Sequence, residues 1–262
     1  MRKDIFETHA HYDDEAFDQN RELLLESMEQ QGIGTVVNVC ASIGQFRRTV
    51  ALTEKYPFVY GAVGVHPDDA DKMTEETLRE IREISHLEKI IAIGEIGLDY
   101  YWHKEECEHK RQQEMFRAQM DIAREEKLPF MIHSREAAKD TLDIVREYMK
   151  GGMYGGIIHC FSYGKEMAEE YLKMGLYLGI GGVVTFKNAR KLKEVVEYAP
   201  LDQLVLETDS PYLSPEPNRG KRNSSLNLPY VAQAIAEIKG VTPEQVIRIT
   251  RENAEKLLFS SI

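Results

Sequence analysis

Eight short apolar runs alternate with longer charged segments along this chain, and that alternation limits the fold more than any other feature. The runs are IFETHAH (5–11), TVVNVCA (35–41), VYGAVGVHP (59–67), IIAIGEIGLD (90–99), LPFMIHS (128–134), GGIIHCF (155–161), LYLGIGG (176–182) and QLVLETD (203–209). Each is rich in Val, Ile, Leu or Gly and has strand length. Between them lie stretches with helical periodicity, such as RELLLESMEQQG (21–32), HKRQQEMFRAQMDIAREEK (109–127) and MAEEYLKMG (167–175). Gly32 and Gly175 stand where a left-handed residue ends a helix. Eight β runs, each followed by a helix, within 262 residues fit an α/β fold of the (β/α)8 TIM-barrel type, one domain over 1–262. A doubly wound open sheet shares the alternation, but no GxGxxG or GxxxxGK[ST] follows the first run, which weakens its nucleotide-binding form. The tail TPEQVIRITRENAEKLLF (242–259) reads as two short helices, with TPEQ as a helix start.

A barrel places functional side chains at the C-terminal ends of its strands. Residues two apart share a strand face, so Ile5, Glu7, His9 and His11 align with the histidines last. Ile91, Ile93 and Glu95 align in the fourth run, Met131 and His133 in the fifth, and Ile157 and His159 in the sixth. Val205, Glu207 and Asp209 do so in the eighth, and the third ends in GVHP with His66. A buried imidazole or carboxylate is costly unless paired or coordinated, so six at equivalent strand ends imply a ring built to bind something.

Four histidines and two carboxylates suit borderline divalent ions better than Ca, which prefers oxygen alone. Six ligands exceed the needs of one tetrahedral ion with an open position. Two divalent ions (Mg, Mn or Zn) are expected, with Glu95 as the bridge. Their surplus positive charge suits a hydroxide and an anionic substrate such as a phosphodiester. Asp209 is the candidate to orient or deprotonate the attacking water. Arg135 could take a phosphate oxygen through its fork of donors, and His66 could do so by a hydrogen bond, unless Pro67 simply fixes it in a turn.

The formal charge of −11 argues against a broad basic surface for gripping nucleic acid, though not against a substrate held locally by cations. Cys40, Cys107 and Cys160 show no paired spacing, so no disulfide framework is indicated. Cys160 should face away from His159, toward the helices. The N-terminus lacks the apolar core of a secretory signal and no run reaches membrane-spanning length, so a cytoplasmic protein without an obligate protein partner is expected. The loop LDYYWHKEE places Tyr100, Tyr101 and Trp102 near the mouth, as base-stacking aromatics or as a packed lid. The basic loop NRGKRN (218–223) could steer phosphate. His86, His103 and His109 have no partner pattern and read as surface residues.

With THAH (8–11), GVHP (64–67), IGEIGLDYY (93–101), PFMIHSREA (129–137), IIHCFSY (157–163), GIGGVVTFKNA (179–189), LVLETDSPYL (204–213) and RGKRN (219–223), the chain resembles the TatD family of metal-dependent hydrolases along nearly its whole length. The resemblance implies a TIM barrel with phosphoester hydrolase chemistry, often a deoxyribonuclease removing nucleotides from DNA ends. It implies that His9, His11, Glu95 and Asp209 hold one ion, and His133, His159 and the shared Glu95 the second. The chain departs from the family pattern at Glu7, where Asp is usual, at Tyr163, where HCFSG ends in Gly, and at Asn218, where His is common. The SSLNLP that follows NRGKRN is a further departure. DNA with single-stranded ends is the expected substrate. A hydrolase of another ester or amide, such as an aminoacyl-tRNA deacylase, is the enzymatic alternative, and a non-enzymatic barrel keeping a metal for stability is the third.

Overall fold

The computed structural model describes residues 4–260. Strands β1 (Ile5–Ala10), β2 (Ile33–Val39), β3 (Val59–Val63), β4 (Ile90–Asp99), β5 (Phe130–Arg135), β6 (Gly156–Ile158), β7 (Tyr177–Ile180) and β8 (Leu204–Leu206) lie side by side in chain order, all parallel. A bridge between Ala10 and Ser210 joins the first strand to the segment after the last. There the Asp209 N–H donates to the His9 carbonyl at 2.9 Å and the His11 N–H to the Ser210 carbonyl at 2.8 Å. That seam makes the sheet the expected barrel and excludes the open form.

Helices α1 (Arg21–Met28), α2 (Phe46–Lys55), α3 (Glu75–Ser85), α4 (Glu106–Glu126), α5 (Ala138–Lys150), α6 (Lys165–Lys173), α7 (Arg190–Tyr198) and α8 (Leu228–Lys239) fill the connections. Gly32 (φ 93°) and Gly175 (φ 78°) take the left-handed conformation expected of them. Among the described residues no helix is long and apolar enough to cross a membrane.

The tail forms one helix, α9 (Pro243–Leu258), where two were expected. Thr242 caps it in a reciprocal box with Gln245. Its charged residues support one continuous helix, with Arg248 pairing with Glu252 and Arg251 with Glu255 one turn on. Its other face plugs the N-terminal end of the barrel. Asn253 Nδ2 donates to the carbonyls of Leu201 and Leu204, and Ala254, Leu257 and Leu258 join the inner core of Val37, Ile91, Met131, Ile157 and Val205. Truncating Leu258, which is fully buried, to Ala costs about 2–5 kcal/mol.

The expected inner face is broken at two places. Ile93 packs in the outer core between sheet and helices, not beside Ile91. The β3–β4 register shifts between Gly61 and Ala62, and the β4–β5 register shifts again between Ile93 and Ile96. Each shift moves side chains by one face, and together they return Glu95 to the interior. Ile5 likewise packs outside and Phe6 inside, across a shift in β1.

Candidate metal centre

All the residues expected at the site except His9 line one cavity of about 690 Å³ at the C-terminal ends of the strands. His9 is 1% exposed and packs against its neighbours there, with its ring stacked 3.4 Å from that of His159. His9 and His11 arrive at the end of β1, Glu95 from the bulged part of β4, and His133 from β5. His66 follows β3 at the start of a 3₁₀ turn, His159 follows β6, and Asp209 follows β8 with φ of 59°.

Glu95 is the hub. Its Oε2 lies 3.4 Å from His9 Nε2 and 3.7 Å from His11 Nε2. Its Oε1 lies 2.9 Å from His133 Nδ1, 3.6 Å from His159 Nε2 and 3.8 Å from His66 Nε2. Asp209 Oδ1 stands 3.2 Å from His11 Nε2 and 3.5 Å from His159 Nε2. Donor atoms of His9, His11 and Asp209 fall within 4.8 Å of one another, as do those of His66, Glu95 and His133. His159 sits between these trios, and it is His66 that groups with Glu95 and His133. Both ring nitrogens of His9 are buried without a hydrogen bond. Two orphaned imidazole nitrogens among carboxylates are unfavourable alone and fit a site completed by a cation.

Three further carboxylates, not singled out as site residues in the sequence, hold the ring from behind. Asp99 Oδ2 meets His133 Nε2 at 3.2 Å, and Glu207 Oε1 lies 3.1 Å from His159 Nδ1. The Val39 carbonyl does the same for His11 Nδ1 at 2.7 Å. The contacts to His133 and His11 fix which of their nitrogens faces inward, while Glu207 stands beside His159 as an ion-pair partner. Glu207 needs Gly179 opposite, because a Cβ there would lie 2.0 Å from its Oε2. Glu7 accepts from His9 N, Thr208 N, Thr208 Oγ1 and Ser225 Oγ, tying β1 to the chain leading into Asp209. The period-two alignment of Glu7 and Glu207 with the ring hinted at them, and Glu7 was also a point of departure from the family pattern.

Residues 6–259 match the sequence profile of the TatD related DNases. The chain belongs to the TatD family of metal-dependent hydrolases. It is 45% identical over 253 residues to the uncharacterized metal-dependent hydrolase YabD of Bacillus subtilis, covering 97% of this chain and 98% of that one. It is 30% identical over 263 residues to the 3′-5′ ssDNA/RNA exonuclease TatD of Rahnella sp., covering 98% and 99%. Among solved structures, YJJV, a TatD homolog from Escherichia coli, superposes with a TM-score of 0.91 at 27% identity over 99% of both chains.

In this TatD-family chain the ring is electrostatically divided. Burial, with the neighbouring His159, lowers His9 to about 4. Burial also works against charge on His11, His133 and His159, yet Asp209, Asp99, Glu207 and the shared Glu95 outweigh it and raise them to about 10, 9 and 9. Burial alone would raise Glu95, but His159, His66 and His133 pull it well below the ordinary carboxylate range. Glu7 goes the other way: burial outweighs its Thr208 hydrogen bond and lifts it to about 8.

The rim of this TatD-family site differs from expectation in several respects. Cys160 lines the cavity instead of facing the helices, because β6 ends at Ile158 and a φ of 44° at Cys160 breaks the alternation. His103 and His109 are partnered: His103 bridges Asp68 and Glu108, and His109 bonds the His103 carbonyl and stacks on Tyr100 at 3.6 Å. His86 stays at the surface against Glu126. His66 accepts from Asp68 N–H through Nδ1, so it is a turn residue and a site residue at once. Tyr100 is packed, its hydroxyl on Asp140, whereas Trp102 is 65% exposed. Residues 218–223 do not line the cavity: Arg222 bonds the Ala16 carbonyl, and buried Asn223 holds the Thr208 and Tyr212 carbonyls.

Proposed function

We propose that this protein is a divalent-metal-dependent phosphoester hydrolase that removes nucleotides from DNA ends. His9, His11, Glu95 and Asp209 would hold one ion, and His133, His159 and the shared Glu95 the second, with His66 close enough to join that group. The observation that carries the reading is the convergence of five imidazoles on the two oxygens of Glu95, with neither nitrogen of buried His9 hydrogen-bonded. The four-nitrogen, two-carboxylate donor set of the six proposed ligands suits Mn or Zn, and Mg is the further candidate. Bound there, such ions would acidify a water and neutralise charge on the phosphoryl group.

The chain's own groups do the rest. The Val39 carbonyl holds the proton of His11 on Nδ1, leaving Nε2 inward as an acceptor. Asp209, beside that nitrogen, is the base placed to take a proton from the attacking water. His66 Nδ1 meets the Asp68 N–H, which leaves Nε2 turned toward Glu95 as the atom that would meet a phosphate oxygen or the second ion. Arg135, at the cavity wall, makes no ion pair among the described residues, which leaves its fork for a second oxygen. The name of the Rahnella relative supports single-stranded nucleic acid as the substrate class.

The test is metal-stripped protein reloaded with Mg, Mn or Zn and assayed on end-labelled single-stranded DNA, with Glu95→Ala as control. Metal-dependent release of nucleotides that the substitution abolishes is expected. Intact DNA alongside deacylated aminoacyl-tRNA would replace this reading with the ester alternative.

A further inference from the structure

Trp102 stands fully formed at the mouth of the cavity, yet the proposed chemistry makes no use of it. The loop that carries it is anchored on every side. Asp99 Oδ1 accepts from both the Tyr101 and Trp102 N–H groups at 2.8 and 3.1 Å, while its Oδ2 holds His133. Tyr100 is tied to Asp140 and Gln113, and His103 to Asp68 and Glu108. Asp99 thus joins this anchored loop directly to His133 of the site. Within it the Arg135 guanidinium lies 4.0 Å over the Tyr101 ring and 5.5 Å from that of Trp102. The two rings meet edge to face at 4.7 Å. Tyr101 is thus occupied by a cation, with Lys104 5.3 Å from its ring as well, whereas Trp102 remains 65% exposed beside the cavity it lines.

An exposed indole held rigidly next to an unpaired guanidinium is costly to keep for packing alone, since it contributes little buried area. We propose that Trp102 is the platform on which an unpaired nucleobase stacks, while Arg135, held against Tyr101, takes the adjoining phosphate. This deepens the phosphodiesterase reading above and rests on it for the identity of the substrate. Stacking on one π-face tolerates any base, so the platform selects unpaired ends over paired ones without selecting sequence. A base inside a duplex has no free face to offer. The guanidinium supplies locally the positive charge that a chain of net charge −11 lacks overall.

Trp102 is the chain's single tryptophan, so its fluorescence reports the platform directly. The reloaded protein is titrated with phosphorothioate oligothymidine, which resists digestion, with a blunt duplex, and with an equally long chain of abasic residues. Quenching is expected with oligothymidine only. In turnover on unmodified chains, Trp102→Ala is expected to raise KM for oligothymidine about tenfold. It should change the abasic chain by less than twofold, and Trp102→Phe should restore most of the loss. Equal quenching by the abasic chain, or an equal effect of Trp102→Ala on both substrates, overturns the platform and makes the loop a structural lid. Binding of oligothymidine without quenching overturns it as well. If the wild-type protein cuts neither chain with any metal, the phosphodiesterase reading fails, while the fluorescence titration still decides whether Trp102 stacks a base.

Discussion

The two halves of the barrel mouth are built differently. On the β1–β8 side His9, His11 and Asp209 meet across the closing seam, backed by the Val39 carbonyl and by buried Glu7 with its four donors. On the β4–β5 side His133 is part-exposed and backed by Asp99, which also carries the aromatic loop, and Arg135 is exposed. The drier side is a rigid grip in which His11 and Glu7 are fully partnered while both nitrogens of His9 are left for a cation. The wet side leaves cations and rings free for whatever enters. Glu95 reaches both, with Oε2 toward His9 and His11 and Oε1 toward His133, and His159 lies between them.

Glu95→Ala should therefore cost most, because it removes the contact shared by both halves. Activity should fall on the order of 10³-fold or more, with loss of bound metal by elemental analysis. A variant that keeps its metal would show that the halves bind independently. Next, Asp209→Asn should lower kcat on the order of 10²-fold with KM little changed, a split read from steady-state kinetics. The same loss appearing in KM alone would move Asp209 from proton acceptor to substrate contact.

Substitutions behind the ring should separate the halves by readout. Glu7→Ala strands four buried donors and should destabilise by roughly 3 kcal/mol, or about 6–12 °C in melting temperature. Asp99→Ala, which frees two loop N–H groups and His133 nearer the rim, should destabilise by about 1–2 kcal/mol, or about 2–8 °C, while weakening metal affinity about 10–100-fold. Matching effects from both would erase the distinction between seam and rim. The smallest signal is protonic. With His11 raised to about 10 and His133 and His159 to about 9, these rings hold protons at pH 8 when no ion is bound. An imidazole must be neutral to ligate, so loading should release about three protons per chain, one from each of these rings. Calorimetry in two buffers of different ionisation enthalpy measures this, and His9, lowered to about 4, should contribute none.

Period-two alternation made the ring legible, since His9, His11, His133, His159 and Asp209 each sit at or just past the end of an apolar run. The barrel was legible for the same reason, and so was the start of α9, because a Thr cap followed three residues on by Gln has a local cause. Where the chain leaves regular geometry, linear reading loses phase. A left-handed Cys160 turned a residue expected against the helices into the cavity wall. Two register shifts in β4 displaced Ile93 outward yet restored Glu95 inward, which no period carries.

The partners behind the ring were decided only by closure of the barrel. Glu207 reaches His159 from two strands away, and Glu7 meets Thr208 and Ser225 some 200 positions along the chain. Which side of the mouth is dry and which is open was settled in the same way. A strand's own residues determine which faces it has, because the pleat is local. What meets those faces depends on register and closure, which are set by the whole sheet at once.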